Sequence, residues 1–308
     1  MLIKIPQGWE LPESQATPES TLLNRRQILR AAGFLGAAGL LPAQAAAGLN
    51  FKKSSMYDLE VPVTEEWAAT GYNNFYEFHP SDKEAAKNRV GKFQTQPWTI
   101  EVGGLVEKPK TYDLDDLMKR MPIEERLYRF RCVEAWAMAV PWVGFPMSAL
   151  INEVQPKANA KFLRFVSVMR RQEQPGISEA PHYPWPYHEG LRMDEAMHPL
   201  SLFAVGMYGK AMPKQNGAPI RAIVPWKYGY KSAKSIVKIE FTAKQPPTFW
   251  NALQAAEYGF YSNVDPKAPH PRWSQAVERV IPNMGRRPTL AYNGYGKWVS
   301  GLYNGKEF

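Results

Sequence analysis

Cysteine is nearly missing from this chain: Cys132 is the single one in 308 residues. One thiol excludes an internal disulfide. It is also a poor start for zinc, which draws three or four protein ligands. The five histidines (His79, His182, His188, His198, His270) show no paired spacing that would complete such a set. The Cys-x-x-Cys-His attachment of haem and the cysteines of an iron–sulfur cluster are absent. So is a nicotinamide or flavin fingerprint. Gly33, Gly36 and Gly39 lie inside a short apolar stretch with no strand before them. Gly206-Met207-Tyr208-Gly209-Lys210 ends in Gly-Lys, yet its spacing and the following Ala211 fail the phosphate-loop pattern, which excludes an ATP site. Beyond residue 47 there is no run of eighteen apolar residues, so the expectation is a soluble mature protein whose membrane contact goes through a partner.

What the chain does have is a positive excess and many rings. The formal charge is +9, and Lys4, Arg25, Arg26 and Arg30 against Glu10, Glu13 and Glu19 place only +1 of it in residues 1–47. An excess of this size suits an acidic membrane surface, a phosphorylated cofactor or nucleic acid. No long Lys/Arg run or nucleic-acid signature accompanies it, so no nucleic-acid partner is expected. Aromatics at 13% and 27 prolines point to short elements joined by structured loops rather than a helical bundle.

Asn24-Arg25-Arg26-Gln27-Ile28-Leu29-Arg30 opens an apolar stretch, Ala31 to Leu41, followed by small residues at Ala43-Gln44-Ala45-Ala46-Ala47. Charged region, short apolar core and small-residue cleavage site make a signal peptide. Its paired arginines indicate the twin-arginine route. Residues 1–47 are therefore expected to be removed near Ala45–Ala47, leaving 48–308 in the periplasm.

A lone thiol in an oxidising compartment is a liability unless it is buried or coordinated. Glu125 to Cys132 alternates with period two, as a strand does. Tyr128, Phe130 and Cys132 then share one face, with Arg126, Arg129 and Arg131 on or near the other. A cysteine at a strand end beside cations favours thiolate, the form that binds soft metals. An inert core cysteine is the alternative.

Elsewhere, residues 48–70 read as an irregular lead-in, and Gly71 to Phe78 as a polar-aromatic segment without a regular helix. Trp98, Ile100 and Val102 mark a strand, and Asp113 caps a short helix carrying Leu114, Leu117 and Met118. Pro141 to Pro146 reads as a rigid aromatic loop, with Pro146 opening the next helix. Phe162 to Met169, Ile220 to Val224 and Ile236 to Phe241 are strand-like, the last placing Val237, Ile239 and Phe241 on one face. Pro184 to Tyr187 reads as a surface excursion. The expectation is a single α+β domain with mixed β-sheets and short helices, a two-lobed arrangement staying open.

Six ordered stretches then carry a resemblance: Gly71 to Phe78, Arg131 to Trp136, Gln215 to Arg221, Val224 to Gly229, Lys231 to Val237 and His270 to Ala276. Together with the leader and the lone Cys, the chain resembles the catalytic subunits of periplasmic protein-methionine-sulfoxide reductases, within the sulfite-oxidase fold group. The resemblance implies one molybdenum atom per chain, held by the dithiolene of a mononucleotide-free molybdopterin and by Cys132. It implies pterin contacts from Asn73, Tyr76, Glu77, Ser167, Asn216, Arg221, Ser232, Ala233 and Lys234, with Arg221 and Lys234 suited to its phosphate. Ser167 stands where the family has threonine, and Ser232-Ala233 where it has a glycine and an apolar residue. Trp136, Trp226 and Tyr228 are expected to shape the substrate pocket. The implied activity is reduction of methionine sulfoxide, in oxidised periplasmic proteins and as the free amino acid. Electrons would come from a haem-bearing integral-membrane subunit drawing on quinone. Reduction of other S- or N-oxides, sulfite-type oxidation, or non-catalytic binding of a metal such as copper are the competing readings.

Overall fold

A computed structural model describes residues 49–304, apart from 56, 58 and 60. The leader expected over 1–47 lies outside the described residues, which all belong to one unit, Ala46–Phe308.

Two sheets organise the chain. The larger has eight strands along the path β1 (Lys52–Ser54), β4 (Glu124–Arg131), β5 (Trp136–Pro146), β12 (Val277–Val280) and β13 (Gly285–Pro288). On that sheet β8 (Leu202–Met207) pairs with β5 and also with β9 (Lys210–Ala211) and β10 (Arg221–Ile223). The second sheet has five strands in the order β3 (Lys110–Asp113), β2 (Thr99–Gly104), β11 (Ile236–Thr242), β6 (Phe162–Ser167) and β7 (His188–Arg192). Both sheets are mixed: β1 runs parallel to β4, β12 to β5, and β11 to β2, while β4–β5 and β6–β11 are antiparallel. Short helices fill the connections, as the α+β reading expects.

Local chemistry explains several of these elements. The Asp113 side chain accepts from the Asp116 amide at 3.1 Å and opens the helix Leu114–Met118. After Pro146, the helix Met147–Val154 buries Met147, Leu150, Ile151 and Val154, one helical stripe against the core.

Four expectations change. Pro141 to Pro146 is not a loop but the second half of β5: Trp142, Val143 and Phe145 are buried between β4 and β8. A strand covered on both faces loses its alternation and reads as a plain apolar run. The lead-in is not wholly irregular, since it supplies β1 and the helix Glu66–Gly71. In β11 the register shifts between Ile236 and Lys238, so Ile236, Ile239 and Phe241 are buried and Val237 is only partly so. In β4, Arg126 shares the face of Tyr128, to whose hydroxyl it donates at 2.7 Å, while Arg129 and Arg131 point to the other.

Candidate active site

Cys132 is the first residue after β4, in the turn that leads to β5. Its amide donates to the Trp136 carbonyl at 2.9 Å, and the Ala135 amide donates back to the Cys132 carbonyl at 3.0 Å, with Ala135 at φ 70. The other turn carbonyls are held from far along the chain. Val133 O accepts from Trp273 Nε1 at 2.8 Å and Gln275 Nε2 at 2.7 Å, Glu134 O from Arg279 Nη2 at 3.0 Å, and Ala135 O from the Arg279 amide at 2.7 Å. Behind the turn, buried Arg129 and Arg131 pair with fully buried Glu278. Arg131 also donates to the Cys132 carbonyl and to Gln275 Oε1.

The sulfur faces a compact polar set. Cys132 Sγ lies 3.4 Å from the Glu134 amide and 3.5 Å from Asn74 Nδ2, both donors. Glu134 Oε2 is 4.0 Å from the sulfur and accepts from Asn74 Nδ2 at 2.9 Å and Trp136 Nε1 at 3.1 Å, with Lys83 Nζ at 3.2 Å. The expectation of a thiolate is corrected: burial, then the Glu134 carboxylate, push the Cys132 thiol up to about 12. The strand arginines are spent on Glu278, so burial wins. A soft cation on the sulfur would reverse that balance, because a coordinated thiol loses its proton.

Cys132 lines a cavity of about 840 Å³, counting its open mouth. Of the residues singled out from sequence, Asn73, Tyr76, Glu77, Cys132, Asn216, Arg221 and Lys234 line it together. Two loops are tied there: Asn216 Nδ2 donates to Ala69 O at 2.9 Å and to Asn73 Oδ1 at 3.0 Å. Gly217 follows at φ 104, and the stem of Lys234 packs where a Cβ would stand, so the turn takes only glycine. Gly176 is similarly constrained: a Cβ there would meet the Tyr76 carbonyl oxygen at 2.2 Å.

Ser167, Ser232 and Ala233 do not line the cavity. They are buried on the backbone beside it: Ser167 pairs with Ile236 at the end of β6, and Ala233 O accepts from the Ala222 amide of β10. Trp226 is fully buried, and neither it nor Tyr228 lines the cavity; Trp136 does, with Tyr72, Tyr230, Trp250 and Tyr258. Residues 184–186 are half-buried, and the Trp185 ring packs on Phe249 at 5.0 Å, next to Trp250.

The electrostatics suit an anion with many hydrogen-bonding atoms. Buried Arg221 lies between the rings of Phe130 and Trp142, at 5.3 and 5.0 Å, and spends one nitrogen on Asn216 O at 2.7 Å. Its Nε and Nη2 have no protein partner, and neither do Asn216 Oδ1, Ser167 Oγ and Ser232 Oγ, all buried. Each such atom costs about 1–3 kcal/mol when left unmet, so the three on Arg221 and Asn216, which line the cavity, mark groups that a bound molecule would satisfy. Burial pushes Arg221 down to about 9. Burial, then Arg221, also lower Lys234, whose Nζ donates to Asn74 O at 2.8 Å. Glu77 is raised by burial against the pull of Lys234. Two cations against one carboxylate leave this wall positive, and a pterin phosphate with its ring donors and acceptors fits it.

Sequence reasoning missed Asn74, Glu134 and Lys83 around the sulfur. Asn74 and Glu134 stand inside the quoted stretches Gly71 to Phe78 and Arg131 to Trp136, and polarity beside the lone Cys was the available signal. Nothing local marks Lys83. Among the described residues, no three His, Cys, Asp or Glu side chains converge as a metal site.

Residues 87–250 match the family described as oxidoreductase molybdopterin binding domain. The protein-methionine-sulfoxide reductase catalytic subunit MsrP of Burkholderia mallei is 55% identical over 80% of this chain and 75% of its own length. The MsrP catalytic subunit of Ralstonia nicotianae is 52% identical over 85% of this chain and 81% of its own length. Among solved structures, the sulfane dehydrogenase SoxCD from Paracoccus pantotrophus is 18% identical with a TM-score of 0.46, over 78% of this chain and 58% of that one. The chain carries a molybdopterin-binding domain and belongs to the family of protein-methionine-sulfoxide reductase catalytic subunits.

Proposed function

We propose that this chain reduces methionine sulfoxide to methionine, in oxidised proteins and as the free amino acid. It does so with one molybdenum per chain, held through Cys132 and a molybdopterin that carries no appended nucleotide. One observation carries the reading: the single thiol lines the same cavity as Lys234 and Arg221, whose buried Nε and Nη2 have no protein partner. When bound, that group supplies the two-electron chemistry that removes the sulfoxide oxygen and leaves a thioether.

The chain's own residues do the rest. Arg221, Lys234 and Asn216 hold the anionic end, and Asn73, Tyr76 and Glu77 the ring, while Ser167, Ser232 and Ala233 support them from the backbone behind. Asn74 and the Glu134 amide aim donors at the ligand sulfur. Trp136, Trp250 and Tyr258 give the mouth an aromatic lining, against which a methionine sulfur is favourably placed. Burial, then Glu134 and Cys132, raise Tyr76, so its hydroxyl stays neutral and available as a donor. A sulfite-type site would converge several arginines on its anion, whereas Arg221 is the one arginine of the described residues lining this cavity.

We further propose a periplasmic location after twin-arginine export, and electron supply by a haem-bearing integral-membrane subunit. No helix among the described residues is long and apolar enough to cross a membrane. Metal analysis of the purified protein tests the central reading. Molybdenum near one per chain, with sulfoxide reduction lost in Cys132→Ser, is the expected result; copper or no metal overturns it.

A further inference from the structure

We infer that the open groove beside the catalytic cavity docks extended polypeptide segments whose methionine sulfoxide is flanked by acidic side chains. This rests on the sulfoxide-reductase reading above and names the kind of client that reading takes. The groove has an empty volume of about 1110 Å³. It is lined by Tyr72, Lys83, Glu134, Trp273, Arg279 and Arg286, with Val277 also contributing. Tyr72 and Glu134 line the catalytic cavity as well, so the two spaces share a wall. A chain lying in the groove can therefore turn one side chain past Tyr72 toward Cys132.

Charge selects the occupant. The Glu134 carboxylate is engaged by Lys83, Asn74 and Trp136, which leaves Arg279 and Arg286 as the positive charge of the groove. The hairpin of β12 and β13 shows the same bias. Across it Glu278 stands opposite Arg287 and the two pair, but Arg279 stands directly opposite Arg286. Like charges facing each other destabilise a ladder, and an anion between them removes that cost. Both arginines are exposed, and β13 ends the path of its sheet among the described residues. Val277, 44% exposed, and the half-buried Trp273 add apolar surface for the stems of a bound strand. The groove runs beside β12, four residues long, and a strand advances about 3.3 Å per residue, so an occupant lying along it is a stretch of chain rather than a single small anion.

The test uses the purified holoenzyme and two unstructured decapeptides, each with one central methionine sulfoxide, flanked by glutamates in one and by lysines in the other. Binding is read by fluorescence anisotropy of labelled peptide, and turnover with a reduced dye as donor. The glutamate peptide should bind about tenfold more tightly at low salt, with the preference shrinking as salt rises. Arg286→Glu places a carboxylate opposite Arg279, which the fold tolerates, and should cancel or invert that preference. Equal binding of the two peptides, or a preference untouched by Arg286→Glu, overturns the docking inference. Failure of the wild-type holoenzyme to turn over either peptide or free methionine sulfoxide would instead overturn the functional reading beneath it, the anisotropy result still standing by itself.

Discussion

Gln275 Nε2 donates to the carbonyl oxygen of Val133, the residue after Cys132, at 2.7 Å and across 142 positions of chain. The same side chain accepts from Arg131 Nη2 at 2.8 Å, so one buried amide ties both sides of the ligand turn to the segment before β12. Gln275→Leu keeps the bulk and removes both bonds, each a net contribution of about 0.5–1.5 kcal/mol, while Val133 O keeps Trp273 and Arg131 Nη2 keeps Thr289. Thermal melting should fall by several degrees. The Cys132 thiol of cofactor-free protein should react faster with an alkylating reagent, because its turn is no longer clamped. Trp273→Phe, which removes only the Nε1 donor, should show a smaller change in the same direction. An unaltered alkylation rate in Gln275→Leu would mean that the clamp does not position the thiol.

Arg221 is a buried cation and Lys234 a half-buried one that also feels the Glu77 carboxylate, an arrangement short of negative charge until an anion arrives. Arg221→Met and Lys234→Met should each lower the pterin content of purified protein, read from the fluorescence of the released pterin. The melting temperature of the cofactor-free chain should stay level or rise, since each change removes a buried charge that burial disfavours. Unchanged pterin occupancy in both variants would exclude them as anchors.

Sulfoxide reduction consumes two electrons, and the sequence shows no nicotinamide, flavin, covalent haem or iron–sulfur signature. Purified protein should therefore reduce methionine sulfoxide with a reduced dye but not with NADPH alone. In membranes, turnover should stop when the proposed haem-bearing subunit is deleted and return when it is supplied. Robust turnover of the isolated protein with NADPH would show that the electron path is wrong.

The buried pair of Glu195 and Lys227 ties stability to pH. Glu195 accepts from Lys227 Nζ at 2.6 Å, Tyr303 Oη at 2.7 Å and the Arg192 amide at 2.9 Å. Burial alone would raise this carboxyl, but Lys227 and Tyr303 outweigh burial and hold it below 4.5. With the folded value under the unfolded one, the stabilisation is present above about pH 4.5 and is lost as pH falls through the folded value. Glu195→Gln strands Lys227 without a countercharge and should cost about 3–5 kcal/mol at pH 7. It should also flatten the acid dependence, as measured by urea midpoints at pH 7 and at pH 3.5. A variant as acid-sensitive as the wild type would place the acid limit elsewhere.

Several parts of this protein were legible in its chain because they depend on neighbours in sequence. The period-two run into Cys132, the Asp113 cap and the short helix after Pro146 are local patterns, and the solitude of the thiol is a simple count. So are the motif stretches that carried the family and its cofactor class. The tertiary structure decided the rest. Arg126 shares the face of Tyr128 by the same period of two, but where β11 bulges follows from sheet register, which propensity does not encode. The protonation of Cys132 turned on its burial and on the Glu134 carboxylate, which outweigh the Glu134 amide, Arg131 and Lys83, while Arg129 and Arg131 pair with Glu278 far along the chain. Lys83 beside Glu134 and Arg279 on the ligand turn have no sequence signature, and Trp273 and Gln275 stand in the stretch His270 to Ala276 without any local mark of their hold on that turn. They act through contacts that exist only once distant segments are packed together, and the energy of such contacts belongs to the fold rather than to any stretch of residues.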